Sequence, residues 1–134
     1  MKEKTIFEQI IDREIPADII YEDDNHIAFL DIFPFEKGHV LVVPKKAYET
    51  IFDMPEEEFL ALQKVVFKLA NKVHRELGGG LNILQNNFKI AGQLVPHVHF
   101  HIIPRNEDKK LYYPSDTKYE EGEKEKILEK IKFN

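Results

Sequence analysis

Apolar residues along this chain follow a helical period in one long segment and a shorter period elsewhere. The helical segment spans residues 55–77, where apolar side chains recur at steps of three and four: Phe59, Leu62, Val66, Leu69 and Val73. Asp53 and Glu56 have the spacing of a capping box ahead of this segment, and Gly78 can supply a left-handed stop. The pattern therefore predicts one long amphipathic helix.

The other apolar segments are short, and most of them indicate strands. Residues 5–12 are the exception, because their helical spacing before Pro16 predicts a short opening helix. After Arg105 charged residues dominate, and residues 120–132 predict at most an exposed helix. This order of elements predicts an α+β fold with a mostly antiparallel sheet. Runs of β-branched, leucine and aromatic residues predict strands over residues 19–22, 26–32, 40–43, 81–85 and 97–104.

The composition is typical of one globular domain with an acidic balance. The chain has 134 residues, of which 43% are hydrophobic and 32% charged, so it can bury one core. It contains no cysteine, which excludes disulfides and thiolate metal sites. Its formal net charge of -5 argues against capture of nucleic acid by a broad basic surface.

Neither the amino terminus nor the apolar runs indicate export or a membrane. The first residues are charged and lead into an amphipathic stretch without the apolar core of a signal peptide. No apolar run approaches the roughly 18 residues needed to cross a bilayer. We therefore expect a cytoplasmic protein that has no membrane partner.

Three histidines, His97, His99 and His101, alternate with apolar residues at the start of the last predicted strand. Residues two apart in an extended backbone share a face, so Val98 and Phe100 point away from the three imidazoles. Imidazole is the side chain whose ordinary pKa lies nearest neutrality, and it suits nucleophilic attack, proton transfer or metal binding. The alternation predicts a sheet with one face on a core and the other on a reactive pocket.

The residue types alone leave three interpretations of this cluster open. A metal site is the first, but the Cα atoms of His97 and His101 would lie roughly 13 Å apart in a strand. Two histidines with a remote ligand such as His39 would fit one ion better. Histidines with a purely structural role are the second interpretation. In the third, a neutral imidazole attacks phosphorus while its neighbours stabilise charge on the phosphoryl oxygens.

The loop before the histidines suits an anionic ligand. Gly92 and its small neighbour Ala91 allow backbone N–H groups to approach a phosphate closely. Asn86 and Gln93 add neutral hydrogen-bond donors. Together with the histidines, these residues indicate a phosphate-binding site.

The run from Ala91 to Arg105, with its pattern of three histidines separated by apolar residues, resembles the signature of the histidine triad family of nucleotide hydrolases and transferases. A second block, residues 28–32 with 38–46, resembles the family upstream. The likeness covers about residues 5–105. We therefore expect a histidine triad domain over residues 1–105, with a charged extension over residues 106–134 that packs on it or trails from it.

The resemblance implies a fold, an assembly and a reaction. The fold is a five-stranded, mostly antiparallel sheet with one long and one short helix, and the sheet continues across a homodimer. The reaction is cleavage at the α-phosphate of a purine nucleoside phosphoramidate or related conjugate through a nucleotidyl-histidine intermediate. A dinucleoside polyphosphate hydrolase and a nucleotide-binding adaptor with little catalysis are the alternatives. A zinc hydrolase that uses His39 with His97 or His99 is a further one.

The resemblance also implies roles for particular residues. The middle histidine, His99, is the nucleophile, and His97 and His101 flank it, orient it and contact the phosphate. His39 matches a fourth active-site histidine with a supporting role. The expected substrate contacts are Asp31 at the ribose hydroxyls, Ile32 beside it, and Asn86, Gly92 and Gln93 near ribose and phosphate.

Several positions depart from the family pattern. Some microbial members bind a structural zinc through two cysteines, but Thr5 and Glu8 stand at those places here, and Ala47 replaces a histidine. We therefore predict no metal and no cofactor. Leu94 stands where several members have a hydroxyl residue near the leaving group. Phe88 stands where the loop often has glycine, which predicts a differently shaped loop.

Overall fold

A five-stranded sheet forms the centre of the computed structural model, which describes residues 3–106 and 117–133. The sheet order is β1-β2-β3-β5-β4, and every pairing is antiparallel. This confirms the predicted α+β class and antiparallel sheet. The strands are β1 (Ile19–Glu22), β2 (His26–Leu30), β3 (Val40–Pro44), β4 (Gly80–Gln85) and β5 (Phe100–Arg105). Over the described residues, the α-helices are α1 (Ile6–Ile11), α2 (Glu56–Leu77) and α3 (Glu123–Ile131).

The long helix α2 packs its apolar stripe on one face of the sheet. Gly78 ends the helix with a φ of 70°, and its N–H donates to the carbonyl of His74. The position of this stop and its positive φ match the prediction, because glycine adopts positive φ without a Cβ clash, but its ψ of -163° lies outside the left-handed helical region. The buried side chains of α2 are Leu62, Val65, Val66, Leu69, Ala70 and Val73.

The predicted capping box at the start of α2 is wrong. Asp53 belongs to a separate 3-10 helix, Ile51–Asp53, where its carboxylate accepts from the N–H of Thr50 at 3.1 Å. Pro55 occupies the N-cap position of α2 and forms no side-chain cap. Three glutamates in the first turn, Glu56 to Glu58, stabilise this end through the helix dipole.

Alternation along the strands gives the sheet two different apolar faces. The face under α2 contains Val40, Val42, Phe100 and Ile102. The opposite face contains Ile27, Phe29, Leu41 and Val43, with Phe7 and Ile10 of α1 packed against them. The histidines belong to this second face.

The short helix α1 begins with a reciprocal capping box. The N–H of Thr5 donates to Glu8 Oε1 at 3.0 Å, and the N–H of Glu8 donates to Thr5 Oγ1 at 3.2 Å. Here the pair satisfies free backbone donors of the helix end, so α1 can hold Phe7 and Ile10 against the sheet.

The last strand begins later than predicted. The ladder of β5 starts at Phe100, and the backbone of residues 97–98 is used elsewhere. The N–H of His97 donates to the carbonyl of Val95 at 2.8 Å, and the N–H of Val98 donates to the carbonyl of Tyr48 at 2.8 Å. The chain therefore bends as it enters the strand, which separates His97 from the other two histidines.

The carboxyl-terminal part of the chain forms the helix α3, none of whose residues is buried. Residues 107–116 of the expected extension lie outside the described residues. The division into a domain over residues 1–105 and an extension over 106–134 stays a prediction. In the described parts of the chain, no helix combines the length and apolarity needed to cross a membrane.

Candidate active site

A pocket of about 750 Å3 opens on the sheet face opposite α2. Its walls are α1, the loop of residues 31–39 between β2 and β3, and the loop of residues 86–95. Most of the lining is apolar, and the polar side chains in it are Asp31, Asn86, His99 and His101. Of the predicted site residues, the structure brings to the pocket Asp31, Ile32, Asn86, Gly92, His99 and His101.

The ring of His99 is fixed by a backbone carbonyl. His99 Nδ1 lies 2.7 Å from the carbonyl oxygen of His97. A carbonyl can only accept, so Nδ1 must carry the hydrogen and the lone pair must lie on Nε2. The edge of Phe7 packs on the same ring, with the centroids 4.9 Å apart. Burial lowers the pKa of His99 below its ordinary value, which keeps this lone pair free near neutral pH.

A second pair of histidines is ordered by a backbone N–H. The N–H of Phe35 donates to His39 Nδ1 at 3.1 Å, so the hydrogen of neutral His39 lies on Nε2. This Nε2–H donates to His101 Nδ1 at 2.9 Å. The hydrogen of His101 therefore lies on its own Nε2. One backbone donor thus sets the tautomers of two imidazoles.

The two rings differ in exposure but are both held neutral. Burial lowers the pKa of His39, whose side chain is 1% exposed. Burial is the largest cause that lowers the pKa of His101, and together with the nearby His99 and His39 it brings this pKa to about 4. His101 is half-buried, packs edge-on against His99 at 4.9 Å, and stacks on the Phe35 ring at 6.4 Å. It faces the pocket as a neutral hydrogen-bond donor.

His97 is not brought to the pocket. Its ring is fully buried next to Phe7, and its Nε2–H donates to the carbonyl of Pro44 at 2.7 Å. Its Nδ1 has no hydrogen-bond partner within the described residues. The expectation that all three imidazoles line one pocket is therefore wrong for His97, because the bend before β5 turns this ring inward. Its carbonyl, rather than its ring, orients His99.

Asp31 and Ile32 begin the loop after β2 and line the pocket. Asp31 Oδ1 accepts from the N–H of Phe33 at 2.9 Å, which fixes the carboxylate in an Asx turn. The other oxygen lies 3.7 Å from His39 Nε2. Asp31 is half-buried, whereas Ile32 is 68% exposed at the rim. The Asp31 carboxylate can accept hydrogen bonds from ligand hydroxyls, next to the apolar pocket rim formed by Ile32.

Gln93 does not reach the pocket, in contrast to its neighbour Gly92. Its amide oxygen accepts from the N–H of Phe88 at 2.7 Å, and its amide nitrogen donates to the carbonyl of Glu49 at 2.5 Å. Gln93 is buried, so its side chain shapes the loop instead of contacting a ligand. Gly92 has a φ of 92°, a left-handed conformation that glycine adopts without strain.

Phe88 occupies a backbone conformation that favours glycine. Its φ is 73° and its ψ is 149°, a region almost restricted to glycine. The hydrogen bond from its N–H to Gln93 and its ring stacked on Phe52, 5.9 Å away, hold it there. Phe88 thus adopts a backbone conformation typical of glycine, and the expectation of a differently shaped loop stays a prediction.

Sequence reasoning missed Phe35. Its N–H orders His39, and its ring, 60% exposed, lines the pocket beside His101. No periodicity marks this residue, because it lies in an irregular loop between Pro34 and Gly38. Its distance in sequence from the histidine run hides the contact.

Asp31, His39 and His101 could in principle hold a metal ion, since their ligand atoms lie within 4.8 Å of one another. Such an ion would need the lone pair of His39 Nε2. That nitrogen carries hydrogen here, because His39 Nδ1 accepts from the N–H of Phe35. Moving the hydrogen to Nδ1 would place two donors face to face. The hydrogen bonds therefore favour the direct contact between the imidazoles of His39 and His101 over a metal centre.

Comparison with known proteins identifies relatives over most of the chain. Residues 12–108 match the sequence pattern described as HIT domain. An uncharacterized HIT-like protein of Methanocaldococcus jannaschii is 54% identical over 103 residues, which cover 76% of this chain and 79% of that protein. The purine nucleoside phosphoramidase of Escherichia coli strain K12 is 38% identical over 106 residues, covering 77% of this chain and 88% of the enzyme.

A solved structure extends the similarity to the fold. The crystal structure of a HIT family member from Bacillus subtilis superposes with a TM-score of 0.85 at 36% identity. The superposition covers 96% of this chain and 95% of that chain. The matched residues 12–108 include all four histidines of the cluster and Asp31.

Proposed function

This chain belongs to the HIT domain family, and on that premise we propose that it hydrolyses a purine nucleoside phosphoramidate, or a related nucleotide conjugate, at the α-phosphate. The observation that carries the proposal is the fixed ring of His99. Its Nδ1 is tied to the carbonyl of His97 at 2.7 Å, and the ring lines the pocket with its other nitrogen unprotonated. The relative from Escherichia coli named a purine nucleoside phosphoramidase supports the same substrate class.

The first step is attack by His99 Nε2 on the α-phosphorus. A bond forms between Nε2 and phosphorus, the bond from phosphorus to the amine breaks, and the amine takes a proton from water. The imidazole becomes cationic in this adduct, and the carbonyl of His97 stabilises its Nδ1–H. The second step is attack by the remaining hydroxide on phosphorus, which breaks the bond to Nε2 and releases a nucleoside monophosphate.

His101 has the role of an electrostatic stabiliser in both steps. Its Nε2 carries hydrogen because Nδ1 accepts from His39. A neutral N–H donor that is already oriented can bond to a phosphoryl oxygen as negative charge develops there. Burial and the neighbouring His99 and His39 lower the pKa of His101 to about 4, so near neutral pH the ring is uncharged and offers its Nε2–H as a hydrogen-bond donor. His39 supports this orientation from behind.

The nucleoside is assigned to the apolar half of the pocket. Side chains from α1, from the sheet and from the loop after β2 offer apolar surface for a purine base: Ile6, Phe7, Ile10, Phe29, Ile32 and Leu41. Asp31 stands at the edge of this surface, where a carboxylate can accept from both ribose hydroxyls. Asn86 and Gly92 lie on the loop that would border the phosphate.

We also propose a homodimer that joins two sheets at β4. This strand is at the edge of the sheet, and such an edge exposes unpaired backbone groups. Ile83 on β4 is 52% exposed, and on α2 Leu60 is 52% and Phe67 is 72% exposed. Phe67→Glu should convert the dimer to a monomer in sedimentation equilibrium, whereas Lys68→Glu should leave the dimer intact. A monomeric wild-type chain would contradict this assembly.

The reaction is tested by the mass of the protein during turnover. Rapid quenching after mixing with adenosine phosphoramidate should give a protein heavier by one adenylyl group. His99→Asn should give neither adduct nor turnover, yet should still bind adenosine monophosphate, because the base and ribose subsites are intact. His74→Asn, on the exposed side of α2, is the matched control and should form the adduct.

Three outcomes would count against the proposal. Turnover by His99→Asn at the wild-type rate would remove His99 as the nucleophile. Tight binding of adenosine monophosphate without turnover of any conjugate would favour an adaptor. Loss of activity on chelation, restored by zinc, would favour a metal hydrolase.

A further inference from the structure

Arg105 ends β5 on the same face of the sheet as the pocket histidines. The register of β3 and β5 pairs Val40 with Ile102, so the preceding His39 lies between the positions of His101 and Arg105. In this arrangement Arg105 is on the far side of His39 from the pocket, as a diagonal neighbour on the next strand. Its side chain is 19% exposed, which makes its charge effective at short range.

Two polar partners hold the Arg105 side chain in place. Its Nε–H donates to Asn82 Oδ1 on β4 at 2.8 Å. Its Nη1 lies 3.6 Å from Glu36 Oε1, and the Glu36 side chain is 13% exposed. Arg105 therefore joins the end of β5 to the loop that carries Phe35.

Glu36 also starts the tight turn that delivers His39. The N–H of His39 donates to the carbonyl of Glu36 at 3.1 Å. Gly38, inside the turn, has a φ of 89°, and a Cβ there would meet Leu77 at 2.6 Å. The turn is thus fixed from both ends, which places the N–H of Phe35 on His39 Nδ1.

We propose that Arg105 is a positioning residue that keeps His39 neutral and in its Nε2–H form, so that His101 presents an N–H to the phosphate. The inference rests on the proposed function for its catalytic meaning. Arg105 acts in two ways, by anchoring the loop through Glu36 and by placing a positive charge near His39. Neither effect requires contact with substrate.

A protonated His39 would break the order of the pair. It would carry a second hydrogen on Nδ1, directed at the N–H of Phe35, so two donors would face each other. The contact from Phe35 would be lost, and the His39 ring would be free to turn away from His101. The positive charge of Arg105 opposes this protonation and preserves the arrangement.

The groups that face His39 act in opposite directions on its pKa. Burial lowers this pKa most, and the charge of Arg105 and the nearby His99 lower it too. Asp31 raises it. Arg105 therefore balances the carboxylate that the ribose subsite requires. The titratable and charged groups around His39 are Asp31, Glu36, His99, His101 and Arg105.

The first test uses the full chain without substrate. Long-range 1H–15N spectra of 15N-labelled protein, assigned with a His39→Gln variant, should show His39 with hydrogen on Nε2 and an unprotonated Nδ1. In Arg105→Met the midpoint of the His39 titration should rise by about one pH unit, because the positive charge that opposes protonation of His39 is removed. Arg105→Lys keeps the charge and should retain the wild-type midpoint.

The second test measures kcat/KM on adenosine phosphoramidate against pH. In Arg105→Met the midpoint of the acidic limb of this profile should move to a pH about one unit higher. In Arg105→Lys the midpoint should be the same as in wild type. A uniform loss of kcat in Arg105→Met without a shift of the limb would mean a merely structural role and would overturn the proposal. So would an unchanged His39 midpoint in the spectra.

The two tests separate this inference from the proposed function. Absence of turnover in wild-type protein would count against the reaction, while the spectra would still decide whether Arg105 governs His39. Circular dichroism on each variant checks that the fold is retained. If an Arg105 variant unfolds, Glu36→Gln is used instead. It keeps Arg105 but weakens the contact that anchors its side chain, so the spectra should show a smaller population of His39 with hydrogen on Nε2.

Discussion

The two sides of one short segment, residues 97–102, both contain fully buried residues but serve different purposes. Val98 and Ile102 are 0% exposed and pack under α2 in an apolar cluster. His97 is also 0% exposed and His99 is 6% exposed on the other side. On the α2 side each residue contributes volume and apolar area. On the histidine side each ring is oriented by a hydrogen-bond partner of the correct kind.

This difference shows which side of the segment depends on directional interactions. An apolar side chain contributes through non-directional burial, so a similar volume can replace it at modest cost. A buried imidazole has one donor and one acceptor, and its orientation depends on a single carbonyl or N–H. The α2 side therefore controls stability, and the histidine side controls chemistry.

The largest expected effect comes from the histidine side. His101→Asn removes the Nε2–H donor that is aligned by His39, so kcat/KM should fall by about 10²–10⁴-fold. The free energy of unfolding should change little, because His101 is only half-buried. Steady-state kinetics and urea unfolding of the same preparation measure both quantities. A loss of stability as large as the loss of activity would contradict the division between the two sides.

The matching change on the α2 side is Ile102→Ala. Truncation of a fully buried isoleucine should lower the free energy of unfolding by about 3 kcal/mol. The activity per folded molecule should stay within a few-fold of wild type, since the side chain points away from the pocket. Urea titration followed by kinetics below the unfolding transition tests this. A large fall in kcat without loss of stability would show that the two sides are coupled.

The pH dependence of stability should also separate the two sides. Burial lowers the pKa values of His39, His97 and His99, and burial together with the neighbouring histidines lowers that of His101 to about 4. The unfolded chain therefore binds more protons below pH 6.5, its ordinary histidine value, so stability falls as pH drops from 6.5 towards 4. Asp23, with its pKa lowered to about 2, affects stability only at more acidic pH.

Urea unfolding at pH 7, 6 and 5 measures this slope. Ile102→Ala should shift the curve down without changing its slope, because it removes no titratable group. His101→Asn should flatten the slope. Equal slopes in wild type and His101→Asn would show that His101 does not contribute.

The smallest expected effect concerns the loop beside the pocket. Phe88 has a φ of 73°, so Phe88→Gly should be more stable than Phe88→Ala by about 1 kcal/mol. Both variants lose the ring that stacks on Phe52, so the difference isolates the backbone conformation. Thermal unfolding of the pair measures it. Equal stabilities would mean that the loop relaxes when the ring is removed.

Much of the fold could be predicted because local patterns and packing agree. The apolar stripe of α2 and the alternation of β3 and β5 lead directly to two sides of one sheet. The start of β5 was predicted too early, at residue 97. Residues with high strand propensity do not join a ladder when their backbone is bonded elsewhere, as Val98 is to Tyr48.

The candidate site was predictable in its residue types and less so in its geometry. His99, His101 and Asp31 lie at the pocket as expected, whereas the side chains of His97 and Gln93 do not. Their partners, the carbonyls of Pro44 and Glu49, are more than forty residues away in sequence. Sequence patterns that rely on the spacing of nearby residues cannot predict contacts over such a separation.

The sequence by itself determined which chemistry is available, because the number and order of imidazoles and the alternation that separates them from the core are local properties. The tertiary structure decided which nitrogen of each ring carries hydrogen. The tautomer of His99 is set by a carbonyl two residues away. The tautomers of His39 and His101 depend on the N–H of Phe35 in a loop and on the contact between the two rings, which are 62 residues apart in sequence. The position of a proton follows from the groups that surround it in space, and folding alone brings those groups together.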